Sequence, residues 1–201
     1  MNGTAARNQP HTMTVEEFLA WDGAGHVGKL ELVDGIPRAM APASATHGLI
    51  QGNIITAFNN HLRKSGSKCR AATEAPIVPP MGKRINARAP DVSVTCSPPS
   101  NDGTFVDPVL IVEVLSPSNE PDSWESIRAL AGLTSLTEIL VVQSTRVEAQ
   151  VFRRDAQGAW PSEPEIAKEG GTITLASIGL ELPVGEVYRD THLACVPSNE
   201  A

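Results

Sequence analysis

The sequence has 201 residues, of which 41% are hydrophobic and 19% charged, enough apolar content for one sizeable core. A formal net charge of −7 excludes a broad basic surface that coats nucleic acid, although a local nucleic-acid site remains possible. Eight aromatic residues (four Phe, three Trp and one Tyr) are too few for a platform that stacks single-stranded bases. The longest apolar runs are far shorter than the roughly 20 residues of a membrane span, and no signal-type segment follows Met1. We therefore expect a soluble, cytoplasmic protein that does not associate with membranes.

The cysteines favour neither a disulfide framework nor a zinc site. Cys69, Cys96 and Cys195 are odd in number, and no two of them have the Cys-x-x-Cys spacing. We expect all three to be thiols.

The N-terminal part of the chain shows clear local signals. Residues 1–11 are polar and predict a flexible leader, after which Thr14 to Glu17 form a capping box that opens a short helix. Alternating residues around Asp34-Gly35 predict a β-hairpin over 29–40. A period near 3.6 from Ser44 to about Ser65 predicts the longest helix.

The remainder of the chain alternates strands with one further helix. An Asp-x-x-Glu capping box from Asp122 to Glu125 predicts that this helix starts there and ends near Gly132. Strands are predicted at 69–78, 91–95, 109–115, 139–142, 147–152, 172–175 and 180–184. This order indicates a mixed α/β (α+β) fold around one central sheet, with a core over 12–155 and a peripheral β extension over 156–201.

Two carboxylates are the most informative residues of the sequence. Asp91 opens a strand, and Glu113 interrupts an apolar one, where burial costs several kcal/mol unless the charge finds a partner. If strands 91–95 and 109–115 are neighbours, both acids reach one face, and two carboxylates with waters suit Mg²⁺. The simpler alternative is that an arginine such as Arg88 or Arg128 neutralises Glu113, while Asp91 only caps its strand.

Three segments carry a resemblance to a known family. These are Pro90-Asp91-Val92-Ser93-Val94, Val112-Glu113-Val114-Leu115-Ser116-Pro117-Ser118 and Glu138-Ile139-Leu140-Val141-Val142. Together with Glu31-Leu32-Val33-Asp34-Gly35 and His47, they resemble the Uma-two-type family of restriction endonucleases, a branch of the PD-(D/E)xK nuclease superfamily. The resemblance covers roughly residues 12–155 in the same order. It implies a restriction-endonuclease-like core with flanking helices and Mg²⁺-dependent cleavage of phosphodiesters.

Transferred to this sequence, the family pattern makes Asp91 the first metal carboxylate and Glu113 the acidic member of the (D/E)xK element. The lysine position of that element falls on Leu115, which carries no charge. Many family members appear to supply the lysine from the next helix, at a place that aligns with Ser126, so the usual cation is missing there as well. We therefore expect slow catalysis at best, and we expect Ser126, as a helix residue, to tolerate a lysine better than Leu115.

Two further residues are candidates for the site. Glu31 either binds metal or orients water, or it simply faces solvent on its alternating strand. His47 either transfers protons near the acids, as the resemblance implies, or is a partly buried histidine that caps its helix. Lys83, Arg84 and Arg88 form a basic loop that is either solvated or in contact with phosphate.

Two hypotheses follow for the function. The first is an endonuclease that uses Mg²⁺, with Mn²⁺ as a substitute, on DNA. The resemblance also implies a homodimer, since double-strand cutters of this superfamily typically need two sites. The catalytic residues of this endonuclease are Asp91, Glu113, Glu31 and His47, of which Asp91 and Glu113 bind the metal. The second is a catalytically silent relative that uses the same fold for binding or assembly, since the usual lysine is absent.

Overall fold

The computed structural model describes residues 12–26, 28–80 and 84–194. In chain order these residues form α1 (Val15–Ala20), β1 (Leu30–Val33), β2 (Ile36–Ala39), α2 (Ala45–Lys64), β3 (Arg70–Thr73), β4 (Val92–Thr95), β5 (Pro108–Leu115), α3 (Glu120–Leu130), β6 (Glu138–Gln143), β7 (Glu148–Arg153), β8 (Glu165–Lys168), β9 (Thr172–Leu175), β10 (Leu180–Pro183) and α4 (Val184–Val187).

Six of the strands form one mixed sheet in the order β3-β4-β5-β6-β7-β8. All neighbours are antiparallel except β5 and β6, which run parallel and are connected through α3. A parallel pair requires such a crossover, since a tight turn can join only antiparallel strands. The structure thus confirms the mixed fold with helices flanking a central sheet.

The central strand β5 is buried on both faces because its side chains alternate between two cores. Leu110, Val112 and Val114 pack into a core that includes α2. Ile111 and Leu115 pack into a second core that includes α3. Glu113 shares the face of Ile111 and Leu115, since side chains two residues apart point to the same side of a strand.

The chain after Asp155 adds to both the sheet and the core. Strand β8 pairs with β7 at the sheet edge, and hairpin β9–β10 contributes apolar side chains to the core beside α2. The division into a 12–155 core and a 156–201 extension stays a prediction. The leader predicted over 1–11 lies outside the described residues.

Local sequence signals at the N-terminal elements are confirmed. Thr14 and Glu17 form the reciprocal capping box of α1. The β1–β2 turn has positive φ at both Asp34 (50°) and Gly35 (80°), as a tight hairpin turn with matching twist requires. Ser44 caps α2 through the backbone N–H of His47.

The predicted start of α3 is wrong. The helix begins at Glu120, two residues before Asp122, and no side chain caps it. Pro121 lies in the first turn, where its missing N–H costs nothing. The Asn119 side chain instead bonds the preceding loop, accepting from the Ser116 backbone N–H and donating to the Val114 carbonyl. Strand β3 is also shorter than the predicted 69–78.

The cysteine prediction is wrong for two of the three residues. Cys69 and Cys96 form a disulfide between β3 and β4. The register pairs Arg70 with Thr95, so one further step places the two cysteines opposite each other. An odd cysteine count argues against a framework of several bridges, but it does not exclude one cross-strand pair. Cys195 lies outside the described residues.

Within the described ranges, no helix is both long enough and apolar enough to cross a membrane.

Candidate active site

A cavity of about 280 Å³ opens at the end of the sheet where β4 begins. Its lining brings together residues from the β1–β2 region, the start of α2, the loop after β3 and the segment that leads into α3. Those with functional groups are Lys29, His47, Glu74, Asp91, Ser116, Asn119 and Ser123.

The strand register brings Asp91 and Glu113 together. Val92 pairs with Val112 in the antiparallel β4–β5 ladder, and the next step places Asp91 directly opposite Glu113. Directly opposite residues on one sheet face have Cβ atoms about 4.5–5.5 Å apart. The strand pairing on which the sequence argument depended is therefore present.

Asp91 is buried, and hydrogen bonds fix its position. Its Oδ2 accepts the backbone N–H of Val114 at 2.7 Å, and its backbone carbonyl accepts a bond from Gln51 of α2. Its Oδ1 lies 3.3 Å from Nε2 of His47 and 3.4 Å from Nζ of Lys29. Burial raises the pKa of Asp91, but the bond from His47 and the charges of Lys29 and His47 outweigh burial and leave the pKa below its ordinary value.

Glu113 is the least compensated carboxylate of the site. It is 2% exposed, and the Ser123 hydroxyl donates to its Oε2 at 3.3 Å. Its Oε1 is buried and has no hydrogen-bond partner among the described residues. Burial and the nearby charge of Asp91 raise the pKa of Glu113 well above its ordinary value. This oxygen therefore lacks a donor or a cation.

His47 lies in the first turn of α2 and is buried against Asp91. It does not cap its helix, because Ser44 has that role. Its Nδ1 is buried and has no partner within the described residues. The structure thus places His47 beside the acids, while its proposed part in proton transfer stays a prediction.

Sequence reasoning missed Lys29. This residue lies directly before β1, 62 positions from Asp91 in the chain, and its side chain is 16% exposed. Burial lowers its pKa, but the surrounding charges, first that of Asp91 and then that of Glu113, raise the net pKa. One signal could have found it: Lys29 and Glu31 are two residues apart, so the strand period that singled out Glu31 places Lys29 on the same face.

Glu31 does not face solvent, and its carboxylate accepts two hydrogen bonds, while its predicted role towards metal or water stays a prediction. It is buried, its Oε2 accepts from Arg88 at 3.2 Å, and its Oε1 accepts the backbone N–H of Ala89 at 2.9 Å. Arg88 also binds Glu125 of α3 at 2.9 Å. Arg88 thus pairs with Glu31 and not with Glu113, contrary to the simpler alternative.

Within the described ranges, the other positions at which the sequence or the family pattern places a cation do not supply a charge to Asp91 and Glu113. Leu115 and Ser126 are each 1% exposed, so both positions are buried, and the expectation that Ser126 tolerates a lysine better than Leu115 stays a prediction. The α3 residue that contacts Glu113 is Ser123, one turn earlier. Arg84 of the basic loop pairs with Glu16 and Asp102, and Lys83 lies outside the described residues.

A family model matches residues 15–185, which include every element of this site. The chain belongs to the Uma2 family. The family is described as "Putative restriction endonuclease", which confirms the resemblance found in the sequence.

The chain is also similar to two individual proteins. The chain is 34% identical over 180 residues to "Uncharacterized protein slr1290" of Synechocystis sp., an alignment that covers 88% of this chain and 92% of that protein. A crystal structure of "a putative nuclease belonging to DUF820" from Anabaena variabilis superposes with a TM-score of 0.66. It is 18% identical in sequence, and the match covers 88% of this chain and 97% of that one. The central sheet with its flanking helices is therefore the fold that this chain shares with that protein.

Among the described residues, Asp91 and Glu113 are the two candidate metal ligands that the sequence predicted. Within the described ranges, no three His, Cys, Asp or Glu side chains are grouped so as to hold a metal ion. Two carboxylates can still bind Mg²⁺, because this ion keeps several of its waters in protein sites. The partnerless buried Oε1 of Glu113 fits such an ion.

Proposed function

We propose that this Uma2 protein is a divalent-metal-dependent DNA endonuclease in which Asp91 and Glu113 hold Mg²⁺, with Mn²⁺ as a substitute. The observation that carries the proposal is the buried Oε1 of Glu113, which has no partner within the described residues and lies on a side chain opposite Asp91. A carboxylate kept in this state raises the free energy of the folded protein. A bound cation would offset this cost by compensating the charge of Glu113.

The bound metal would polarise the scissile phosphodiester and lower the pKa of an attacking water. Water then forms a new P–O bond while one ester P–O bond breaks, and solvent exchanges protons with the water and the leaving oxygen. The Val114 N–H and His47 each contact one oxygen of Asp91, and these contacts orient its carboxylate. We assign Glu31 to the scaffold, since both of its oxygens already accept hydrogen bonds.

The first experiment measures metal binding without catalysis. Thermal unfolding is followed while Mg²⁺ or Mn²⁺ is titrated against the wild type, Asp91→Asn and Glu113→Gln. A free metal concentration 100 times Kd should stabilise the wild type by about 2.7 kcal/mol and neither variant appreciably. Glu181→Gln is the matched control, because this glutamate is exposed on β10 and distant in sequence from the site.

The second experiment measures nicking of supercoiled plasmid with and without each metal. We expect slow, metal-dependent nicking that is lost in Asp91→Asn and Glu113→Gln and kept in Glu181→Gln. Metal binding without nicking, or neither property, would reject the endonuclease and leave the catalytically silent binding protein as the function of this fold.

Double-strand cutters of the superfamily that the sequence resembles typically use two sites, and the described residues of each chain bring together one such acid pair. We therefore include a homodimer in the proposal. Light scattering of the purified protein gives its mass in solution. A monomer that converts plasmid only to the nicked form would exclude concerted double-strand cleavage.

A further inference from the structure

No cationic residue occupies the two positions at which the family pattern supplies one. Leu115 packs into the core beside α3, and Ser126 is buried with its hydroxyl lacking a partner in the described part of the chain. Phosphoryl transfer depends on compensating the negative charge of the transition state, and loss of one electrostatic contact typically costs about 10²–10³-fold in rate. A nuclease with this site requires the charge from elsewhere.

Lys29 is the one lysine or arginine among the described residues that line the cavity. Arg88, the other buried cation nearby, is engaged by Glu31 and Glu125. The charge of Lys29 acts on Asp91 and Glu113 as well as on Glu31 and Glu74. It is therefore the positive centre of an otherwise acidic cavity.

The contacts of Lys29 leave its amino group available. An ammonium has three donors, and within the described ranges its one acceptor is Oδ1 of Asp91 at 3.4 Å. This distance exceeds the 2.7–2.9 Å of a strong charge-assisted bond. The backbone is anchored, because the Lys29 carbonyl accepts the N–H of Met40 across the β1–β2 hairpin. A fixed backbone with a weakly engaged ammonium suits a group that contacts a substrate.

We propose that Lys29 donates to the scissile phosphate and offsets its transition-state charge, replacing the lysine that Leu115 and Ser126 do not provide. This inference rests on the proposed endonuclease function. Lys29 stays protonated through the reaction and transfers no proton. The cation is thus supplied by the residue directly before β1, and not by β5 or α3.

The test compares Lys29→Met with Lys64→Met, a matched control in which an exposed lysine at the end of α2 is changed. Single-turnover cleavage is measured at saturating Mn²⁺, and Mn²⁺ affinity is measured separately by calorimetry. We expect Lys29→Met to lose about 10²–10³-fold in rate. We expect it to bind Mn²⁺ at least as tightly as the wild type, because a cation beside Asp91 repels the metal. Lys64→Met should change neither quantity.

The opposite changes in rate and affinity separate contact with the substrate from a structural role. If Lys29 only positioned Asp91, its loss would weaken Mn²⁺ binding and slow cleavage together, and this result would overturn the inference. Cleavage by Lys29→Met at the wild-type rate would overturn it as well. Rescue of Lys29→Ala by ethylammonium, but not by tetramethylammonium at equal ionic strength, is expected because only the former donates hydrogen bonds.

A wild type that does not cleave DNA would reject the proposed function separately. Lys29 would then be assessed by the binding of a short duplex in Ca²⁺, measured by fluorescence anisotropy. Weaker binding by Lys29→Met than by Lys64→Met would support a phosphate contact, whereas equal binding, or no binding by the wild type, would reject it.

Discussion

Replacing Glu113 by glutamine should make the metal-free protein more stable at neutral pH. The substitution keeps the shape of the side chain and removes a charge that is 2% exposed and opposite another carboxylate. The charged form is compensated by one hydrogen bond, from Ser123 at 3.3 Å, and its Oε1 has no partner in the described residues. Ionisation of this group therefore costs more in the folded state than in the unfolded chain.

The pH dependence gives the sign of this effect. The pKa of Glu113 in the folded protein lies well above its ordinary value of 4.5, so the folded state holds a proton that the unfolded state releases. Stability consequently falls as pH rises from about 4.5 towards the folded pKa. Below that window the carboxyl is neutral in both states. Glu113→Gln should therefore match the wild type near pH 4 and exceed it at pH 7 by about 1–2 kcal/mol.

Urea unfolding in the presence of EDTA at several pH values measures this difference, with Glu181→Gln as the control. The same variant should lose the stabilisation by Mg²⁺ that the wild type shows. If Glu113→Gln were less stable than the wild type at pH 7, with an unchanged pH profile, the carboxylate would not be an energetic burden. The metal-site argument would then lose its main support.

Three further predictions concern the scaffold, each measured as a free energy of urea unfolding. Arg88→Met should cost about 3–5 kcal/mol, since it leaves the buried Glu31 carboxylate without its cation; a cost within 0.5 kcal/mol would contradict this pairing. Cys69→Ser should cost about 2–4 kcal/mol in non-reducing buffer and little in reductant, because Cys96 closes a loop with a sequence separation of 27; equal stability in non-reducing buffer would contradict the disulfide. Tyr188→Phe should cost about 1–3 kcal/mol, because the hydroxyl accepts the backbone N–H of Glu148 and donates its one proton to the carbonyl of Gln143 or of Glu148. An unchanged free energy of unfolding would show that water replaces the hydroxyl.

The elements that sequence predicted well are those fixed by neighbouring residues. The capping box at Thr14 and the turn at Asp34-Gly35 need only residues within three positions of each other. The acid pair was predictable on one condition, that β4 and β5 are neighbours, and a single loop joins these strands. Patterns within a few residues, together with the pairing of strands joined by one loop, therefore predicted these parts of the fold.

The features that sequence reasoning missed depend on distant parts of the chain. The strand period places Lys29 on the face of Glu31, but it does not show that Lys29 meets Asp91, which is 62 positions away in the chain. The Cys69–Cys96 bridge follows from the β3–β4 register, which the sequence does not specify. At α3, the capping pattern at Asp122 was real as a motif, but Asn119 and Pro121 start the helix earlier.

The buried charges of the site form two groups with different consequences. Glu31 is matched by Arg88, so this pair joins β1 to α3 with little charge left for a ligand. Lys29 and His47 compensate Asp91, whereas Glu113 has the charge of Lys29 and the Ser123 hydroxyl and keeps one oxygen without a partner in the described residues. Loss of Arg88 should destabilise the fold, whereas neutralising Glu113 should stabilise it. Folding alone therefore does not explain why an acidic residue occupies position 113. A bound cation would explain it, which is why stability and metal binding must be measured on the same variants.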